Sequence, residues 1–532
     1  MMFDDRTVML NKLLKKRNII LFTWSCLLFY AEFWLPKGFH EISVPIIYHL
    51  IDKSLFARDY FVISATQLYP PVFHYFMAAI STVETFPFVY QVISFLLNTL
   101  FIFSSFFLAK EVLNDDNTAT LAAIIISLPR WSLEVVEASF LMLNHRTFVL
   151  AFIPLILYIY IKNIKEYKIT KHLLIYASLG LLYNVHPICA LPIILITLGT
   201  DLFLKRKECI YYFLLILAFS LPYNLHYLST QPLSHEMLQK VVETRTYYHT
   251  LEYRLKFLLT TLIYTPILAL VGYKLKKDKT TIDRIIIKWI AIFCFISIAA
   301  ICLSCSLQTS LLHLLPRVWR YGYILSILYV VFLATMFWRK EAKYSKFLSI
   351  LIIFFLLGST YPPDFDEVSA KDVLKKYAEN TVTPIFHLLL TYDKPLGKFI
   401  YDNFKDSKST ILKKLRELQK SSKKECELKE IGCWIKENTN KSVLIMTYPP
   451  HLHVLRSYSL RSMLVTYKDG AMGMFSEDVF LRWQKLYNEV KHGDPIEIAK
   501  KYSANLIVTP KDVNLPLKRA YSTENYIVYL VE

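Results

Sequence analysis

The chain has 532 residues, of which 54% are hydrophobic and 15% aromatic, while only 20% carry a charge. A water-soluble chain of this length would have to expose much of that apolar surface, so the composition excludes an ordinary soluble protein. The net charge of +18 is compatible with nucleic-acid binding. The lysines, however, stand in short clusters between apolar stretches, which is typical of the cytoplasmic loops of membrane proteins, and we expect no nucleic-acid partner.

Repeated apolar stretches predict a mainly α-helical, polytopic membrane protein. The first stretch follows a basic N-terminal cluster and has no small-residue cleavage site, so we predict a retained signal-anchor helix with a cytoplasmic N-terminus. Together with it we predict about 11 spans, at 18–35, 87–109, 118–132, 147–162, 173–186, 188–204, 209–226, 255–273, 285–304, 318–338 and 346–360.

The segment Pro71–Phe86 decides the topology, because it is apolar enough to resemble a further span. If it crossed the membrane, the basic clusters at 162–171, 205–207, 274–279 and 339–346 would all lie outside. It is also short for a span and contains His74 and Glu84. We therefore expect a helix lying at the outer surface. The first outer loop then runs over residues 36–86, and the C-terminus is outside.

A change of composition after residue 360 marks a second region. We predict a transmembrane domain over 1–360, a Lys- and Glu-rich helical linker over 361–430, and a small extracytoplasmic α/β domain over 431–532. The alternation of apolar runs predicts strands at 442–447, 460–467, 505–509 and 526–531, with helices at 427–438, 476–491 and 495–502.

This organisation resembles the GT-C superfamily of membrane glycosyltransferases, which use polyprenyl-phosphate sugar donors. The resemblance covers roughly residues 18–226, with an N-terminal anchor, a long helical first outer loop that contains an acidic residue, and a short polar second outer loop. The stretch 110–129 looks like the turn and third span of that family. The tail, with Trp434-Ile-Lys-Glu-Asn-Thr and Tyr467-Lys-Asp-Gly, is similar to the end of an uncharacterised family of prokaryotic membrane proteins, which implies no activity.

The resemblance implies transfer of a sugar from a polyprenyl-phosphate donor to a glycan, lipid or protein acceptor at the outer face of a multi-pass protein of the plasma membrane. Such a reaction needs a carboxylate that takes the proton of the acceptor hydroxyl. Asp59 is our first catalytic candidate, since apolar neighbours would desolvate it and raise its proton affinity, and Glu41 is the second. Alternatively, Asp59 pairs with Arg58 or caps the next helix, and Glu41 only favours a helix dipole.

Cations must hold the donor phosphate, and arginine does this with a bidentate fork. Arg317 and Arg320 are three residues apart at the outer end of a span, so both can face one side of a helix. The alternative is that they extend to the lipid head groups. We name these two with Arg58, Arg146 and His186 as substrate- and phosphate-binding candidates, although a histidine in an apolar setting is more often a structural residue.

Members of the GT-C superfamily often hold a divalent metal with an acidic pair in the first loop and an acidic residue in the second. In this chain the second loop offers Glu134 and Glu137, which could share Mg²⁺ or Mn²⁺ or simply form a solvated helical turn. The Asp-x-Asp of the chain, Asp364-Phe-Asp366, follows the last span. A non-catalytic envelope scaffold, or a lipid or glycan transporter, is the alternative function.

Overall fold

The computed structural model describes residues 17–29, 40–69, 71–128, 143–229, 236–237, 240–241, 264–307, 318–340, 342–358 and 410–531. The chain divides into two compact units. Unit 1 comprises Met1–Glu32, Val92–Leu221 and Tyr248–Ile385. Unit 2 comprises Phe33–Gln91, Pro222–Tyr247 and Phe386–Glu532.

The described residues are mainly helical. In chain order the helices are α1 (Arg17–Phe29), α2 (His40–Ile51), α3 (Tyr60–Leu68), α4 (Pro71–Ala79), α5 (Phe86–Leu113), α6 (Asp116–Ser127), α7 (His145–Lys165), α8 (Ile169–Val185), α9 (Pro187–Phe203), α10 (Cys209–Ser229), α11 (Tyr264–Leu275), α12 (Thr281–Leu307), α13 (Trp319–Trp338), α14 (Lys343–Gly358), α15 (Thr410–Asn438), α16 (Leu455–Ser459), α17 (Glu477–His492) and α18 (Pro495–Lys501).

Each stretch that was predicted to span the membrane overlaps one of these helices. In chain order they are α1 and then α5 to α14. In the part of the chain that the structure describes, α5, α7, α10 and α13 are long and apolar enough to cross a membrane, and α1 and α9 are shorter apolar helices. The chain is thus a multi-pass membrane protein, while the number of spans stays a prediction. The nine-residue α4 is only about 14 Å long, less than half of the ~30 Å of a bilayer core.

Charged residues bring several helix ends of unit 1 together. Arg339, after α13, pairs with Asp115 before α6 at 2.6 Å, and Lys165 of α7 pairs with Glu111 of α5 at 2.6 Å. Lys276, after α11, donates to a carbonyl in the last turn of α5 at 2.7 Å. We call this the basic end of unit 1. The basic clusters that were predicted to share one side of the membrane therefore include residues that are neighbours in the fold.

Unit 2 contains a five-stranded sheet in the order β2-β1-β3-β5-β4. β1 is parallel to β2 and β3, whereas β5 is antiparallel to β3 and β4. The predicted apolar runs become buried strands, as expected where both faces of a sheet are covered. The edge strand β4 was not predicted, because its sequence Arg-Ala-Tyr-Ser has no apolar run. The strands are β1 (Leu444–Thr447), β2 (Ser462–Met463), β3 (Leu506–Pro510), β4 (Arg519–Ser522) and β5 (Tyr526–Leu530).

Helices cover both faces of this sheet. On the first face, Ile431 and Ile435 of α15 and Leu455 of α16 pack against strand residues such as Ile445. On the second face, the side chains of α17 and α18 pack against the alternate residues of β1 and β3. A single helix, α15, spans residue 430, where a domain boundary was predicted. Residues 361–409 lie outside the described part, so the predicted linker and domain boundaries stay predictions.

The predicted first loop, residues 36–86, contributes to the core on the second face. Ile46 of α2 and both Phe61 and Ala65 of α3 are buried there, among side chains of β1, β3 and α17. Their burial is that of core residues, because each is at most 1% exposed. The loop and the C-terminal residues consequently share one compact unit although hundreds of residues separate them in the chain.

Candidate functional site

Two helices of unit 1 begin with residues of the predicted phosphate site. α7 begins at His145, and its cap Asn144 accepts a hydrogen bond from the backbone N–H of Arg146 at 2.8 Å. α9 begins directly after His186, whose Nδ1 accepts the N–H of Cys189 at 3.2 Å. α7 has 21 residues, which places its start about 30 Å from its other end at the basic end. The starts of helices carry partial positive charge.

A third element, α13, brings an arginine to the same place. Arg320 Nη1 lies 3.6 Å from Cys189 Sγ, and the hydroxyl of Tyr321 donates to the carbonyl of Cys189 at 2.6 Å. The imidazole rings of His145 and His186 are stacked, with 5.0 Å between their centroids. The first turns of α7, α9 and α13 therefore meet. We call His145, His186 and Arg320, with Arg146 beside His145 in the chain, the cation cluster.

The cation cluster is a protected environment. Arg320 is 2% exposed and His186 is 7% exposed, while the first four turns of α13 are buried almost throughout. A guanidinium that is shielded from water interacts strongly with an anion, and its planar fork matches two oxygens of a phosphate. Backbone N–H groups at helix starts favour the same ligand. The arrangement is chemically suited to binding a phosphate group.

Several predicted site residues fall outside these contacts. Arg317, Glu134 and Glu137 lie outside the described residues, and only the backbone of Glu41 is described, in the first turn of α2. Over the described ranges, no three His, Cys, Asp or Glu side chains are grouped so that they could hold a metal ion. The predicted metal therefore depends on Glu134 and Glu137 and stays a prediction.

Asp59 lies in unit 2 and is completely buried. It caps α3, since its Oδ1 accepts the N–H of Val62 at 3.1 Å, and its Oδ2 accepts the N–H of Met463 at 2.9 Å. Arg456 Nε is 2.8 Å from Asp59 Oδ2 in an ion pair, and Nη2 of the same guanidinium donates to Asp59 Oδ1 at 3.4 Å. The same guanidinium binds Asp469 with two hydrogen bonds, of 2.6 and 2.9 Å.

Burial raises the pKa of Asp59, the charge of Arg456 opposes this, and the nearby Asp469 adds to it. Of the alternatives predicted for Asp59, the structure contains the one in which Asp59 caps the helix that follows it, α3. The alternative partner Arg58 is engaged elsewhere, because its guanidinium donates to the carbonyl of Ser503 at 2.8 Å and to the side chain of Asn505 at 3.0 Å. The catalytic role of Asp59 and the phosphate-binding role of Arg58 stay predictions.

Sequence reasoning did not select Arg456 and Asp469 as partners of Asp59. Arg456 is 397 positions away in the chain, and a charged residue in a polar tail gives no sign of burial. Cys189 was likewise treated as a small packing residue, although it joins Arg320 to the cap of α9. His145 had a visible signal, since it precedes Arg146 at the start of a predicted span.

No protein-family model and no curated protein matches this chain. Among solved structures, it is similar to ArnT from Cupriavidus metallidurans in the apo state, with 10% identity, a TM-score of 0.47, and coverage of 96% of this chain and 97% of that chain. The structure of that protein bound to undecaprenyl phosphate matches with 10% identity, a TM-score of 0.42, and coverage of 92% and 96%.

The chain is also similar to the oligosaccharyltransferase of Archaeoglobus fulgidus tethered with an acceptor peptide. The identity is 10%, the TM-score 0.37, and the match covers 93% of this chain and 69% of that chain. The likeness is distant, and the cation cluster is assigned from the contacts of this chain's own residues.

Proposed function

We propose that this chain is a membrane glycosyltransferase that transfers a sugar from a polyprenyl-phosphate donor to an envelope acceptor at the outer face of the membrane. The observation that carries the proposal is the meeting of His145, His186 and Arg320 at the starts of membrane helices. A polyprenyl phosphate combines an anionic head with a long apolar tail. It therefore needs a shielded cation and N–H donors at the ends of apolar helices, which Arg320 and the two histidines offer.

In this proposal, Arg320 donates hydrogen bonds to the phosphate oxygens and stabilises the negative charge that develops as the bond between sugar and phosphate breaks. The two stacked histidines offer further N–H donors to the same group. The proton of the acceptor hydroxyl must go to a carboxylate, for which Glu41 and Asp59 stay the predicted candidates. Because both oxygens of Asp59 are already engaged, we assign it a positioning role in unit 2.

The proposed orientation follows from the basic end. Arg17, at the start of α1, contacts Asp116 of α6, and Lys110 of α5 pairs with the same carboxylate at 2.9 Å. The positive-inside rule assigns such an end to the cytoplasm, and so the N-terminus lies there. The cation cluster, at the far end of α7, then faces the outer side of the membrane.

The experiment is a binding and transfer assay on the full-length protein in lipid nanodiscs, with undecaprenyl phosphate as the probe. Arg320→Ala should weaken binding at least about 10-fold, since a hydrogen bond to a charged group contributes about 1.5–3 kcal/mol. Arg320→Lys should retain part of the affinity. Arg339→Ala is the matched control, because it removes an exposed arginine whose pair contributes at most about 1 kcal/mol.

The outcomes separate the alternatives. If folded Arg320→Ala and His186→Gln variants both bind undecaprenyl phosphate as the unmodified protein does, the phosphate site is refuted. If the unmodified protein binds the lipid but transfers sugar from none of a panel of polyprenyl-phosphate sugars, the transferase is refuted and a lipid or glycan transporter is favoured. If it binds no polyprenyl phosphate at all, the scaffold alternative is favoured.

A further inference from the structure

The sheet of unit 2 contains a point where the chain changes direction. From β1 the chain passes to β2 through α16, which packs on the first face with α15. From β2 it returns past β1 to β3 through α17 and α18, which pack on the second face. The segments that leave β1 and β2 therefore diverge at the carboxyl ends of these strands. In open α/β sheets, ligands bind at such a switch point.

Three aromatic rings lie at this divergence. His451 follows β1, Tyr467 follows β2, and Tyr487 belongs to α17. The ring centroids are 6.1 Å apart between His451 and Tyr467, 6.1 Å between His451 and Tyr487, and 5.9 Å between the two tyrosines. Tyr487 is in turn stacked on Trp483 at 5.2 Å. We call these four side chains the ring cluster.

Hydrogen bonds fix the ring cluster on its buried side, and its other side is accessible to solvent. The indole N–H of Trp483 donates to the carbonyl of Thr466 at 2.9 Å, and the N–H of Tyr467 donates to the carbonyl of Pro450 at 2.9 Å. Trp483 and Tyr487 are buried, Tyr467 is half-buried and His451 is exposed, so His451 and Tyr467 form the accessible part. A surface whose rings are already fixed loses little conformational entropy when it binds a ligand.

A basic residue lies beside the ring cluster, since Lys491 is four residues after Tyr487 on the same helix. The pKa of His451 is lowered, first by partial burial of its ring and then by the neighbouring His453 and Lys491. Lys491 is exposed at the end of α17. An aromatic surface with a positive rim attracts ligands that combine an apolar face with an anionic group.

We propose that the ring cluster binds a saccharide that carries a carboxylate or a phosphate. A pyranose ring has a face of C–H groups that stacks on an aromatic ring, while its acidic substituent lies toward Lys491. Within the transfer reaction this is a site for the acceptor, and that role rests on the proposed function. The binding of the saccharide itself requires no transfer, so the two can be tested separately.

The test uses the full-length protein in detergent and measures binding of methyl β-D-glucuronide and methyl β-D-glucoside by saturation-transfer NMR. We expect the glucuronide to bind several-fold more tightly. Tyr467→Ala and His451→Ala should each weaken it about 10-fold, and Lys491→Gln should remove the difference between the two sugars. Tyr521→Ala is the control, because Tyr521 stacks on a single ring, that of Trp434, at 5.1 Å on the edge strand.

The proposal is overturned if neither sugar binds, or if the Tyr467 and His451 variants bind the glucuronide as tightly as the Tyr521 variant does. Binding of undecaprenyl phosphate is measured on the same variants and should not change, because Arg320 and the ring cluster are different sites. Saccharide binding without any binding of undecaprenyl phosphate would refute the proposed function and leave the ring cluster standing. The reverse result would refute only the ring cluster.

Discussion

Substitution of Asp59 separates a structural role from a catalytic one. Alanine removes the cap of α3, the acceptor for the N–H of Met463 and one of the two carboxylates around Arg456. Asparagine keeps the size of the side chain and one carbonyl oxygen. We expect Asp59→Ala to destabilise unit 2 strongly and Asp59→Asn to destabilise it less.

The magnitudes follow from these contacts. Loss of a helix cap costs about 0.5–2 kcal/mol, and a buried N–H left without an acceptor costs about 1–3 kcal/mol. Arg456 keeps both hydrogen bonds to Asp469, so the full cost of leaving a buried charge alone is not added. Asp59→Ala should therefore lower the free energy of unfolding by about 2–5 kcal/mol. Asp59→Asn should cost about 1–3 kcal/mol, because its amide NH2 group cannot accept the second of the two backbone N–H groups that the carboxylate accepts.

Hydrogen exchange measures this effect locally in the full-length protein. Peptides that cover residues 60–68 and 462–466 should exchange about 30-fold faster or more in Asp59→Ala, since each ~1.4 kcal/mol is a factor of ten. Arg456→Leu, which leaves two buried carboxylates without their cation, should be at least as severe. Unchanged exchange in Asp59→Ala would refute the structural role. Normal protection in Asp59→Asn with complete loss of sugar transfer would instead support catalysis.

The pKa of Asp59 also fixes the sign of a pH effect. Because burial raises that pKa in the folded state, folded unit 2 holds the proton more tightly than the unfolded chain does. The contribution of Asp59 to stability is therefore largest below the ordinary aspartate pKa of about 3.9 and decreases as the pH rises through the folded-state value. After correction for intrinsic exchange rates, the protection of residues 60–68 against hydrogen exchange should fall as the pH rises. Asp59→Asn should abolish this dependence on pH.

Three further predictions concern other contacts. A hydrogen bond from Lys441 is the main cause that lowers the pKa of Asp52 to about 2, so this interaction is present above about pH 3.9 and is lost as the pH falls toward 2; Lys441→Ala should reduce the acid dependence of exchange near residue 52, with the hydrogen bonds from Ser54 retaining the rest, while costing under about 1 kcal/mol. Gly272→Ala should sharply reduce detergent-stable protein in size-exclusion chromatography, because its Cβ would lie 2.3 Å from a carbonyl oxygen of α13, whereas Gly199→Ala, which meets nothing within 4 Å, should not. Glu427→Ala should lower the melting temperature of unit 2, because the buried carboxylate accepts three hydrogen bonds from the turn between β4 and β5; an unchanged melting temperature would contradict this role.

The sequence by itself determined the helices of the membrane region and most of the sheet. An apolar run of given length and period predicts its own element, because burial of a continuous run or of one face is a local property of the pattern. This is why α1 and α5 to α14 overlap the predicted stretches and why β1, β3 and β5 were found. Strand β4 was missed, since its pairing with β5 and not its own side chains makes it a strand.

Only the tertiary structure decided which of these elements meet. Arg146, His186 and Arg320 were selected one at a time by residue type, but their shared location depends on the packing of α7, α9 and α13. Asp59 and Arg456 each look like ordinary charged residues, and the ion pair exists because the first loop packs into the core of the C-terminal sheet. Two distant segments make contact because both become buried together. The sequence pattern of either segment alone does not show which partner it will meet.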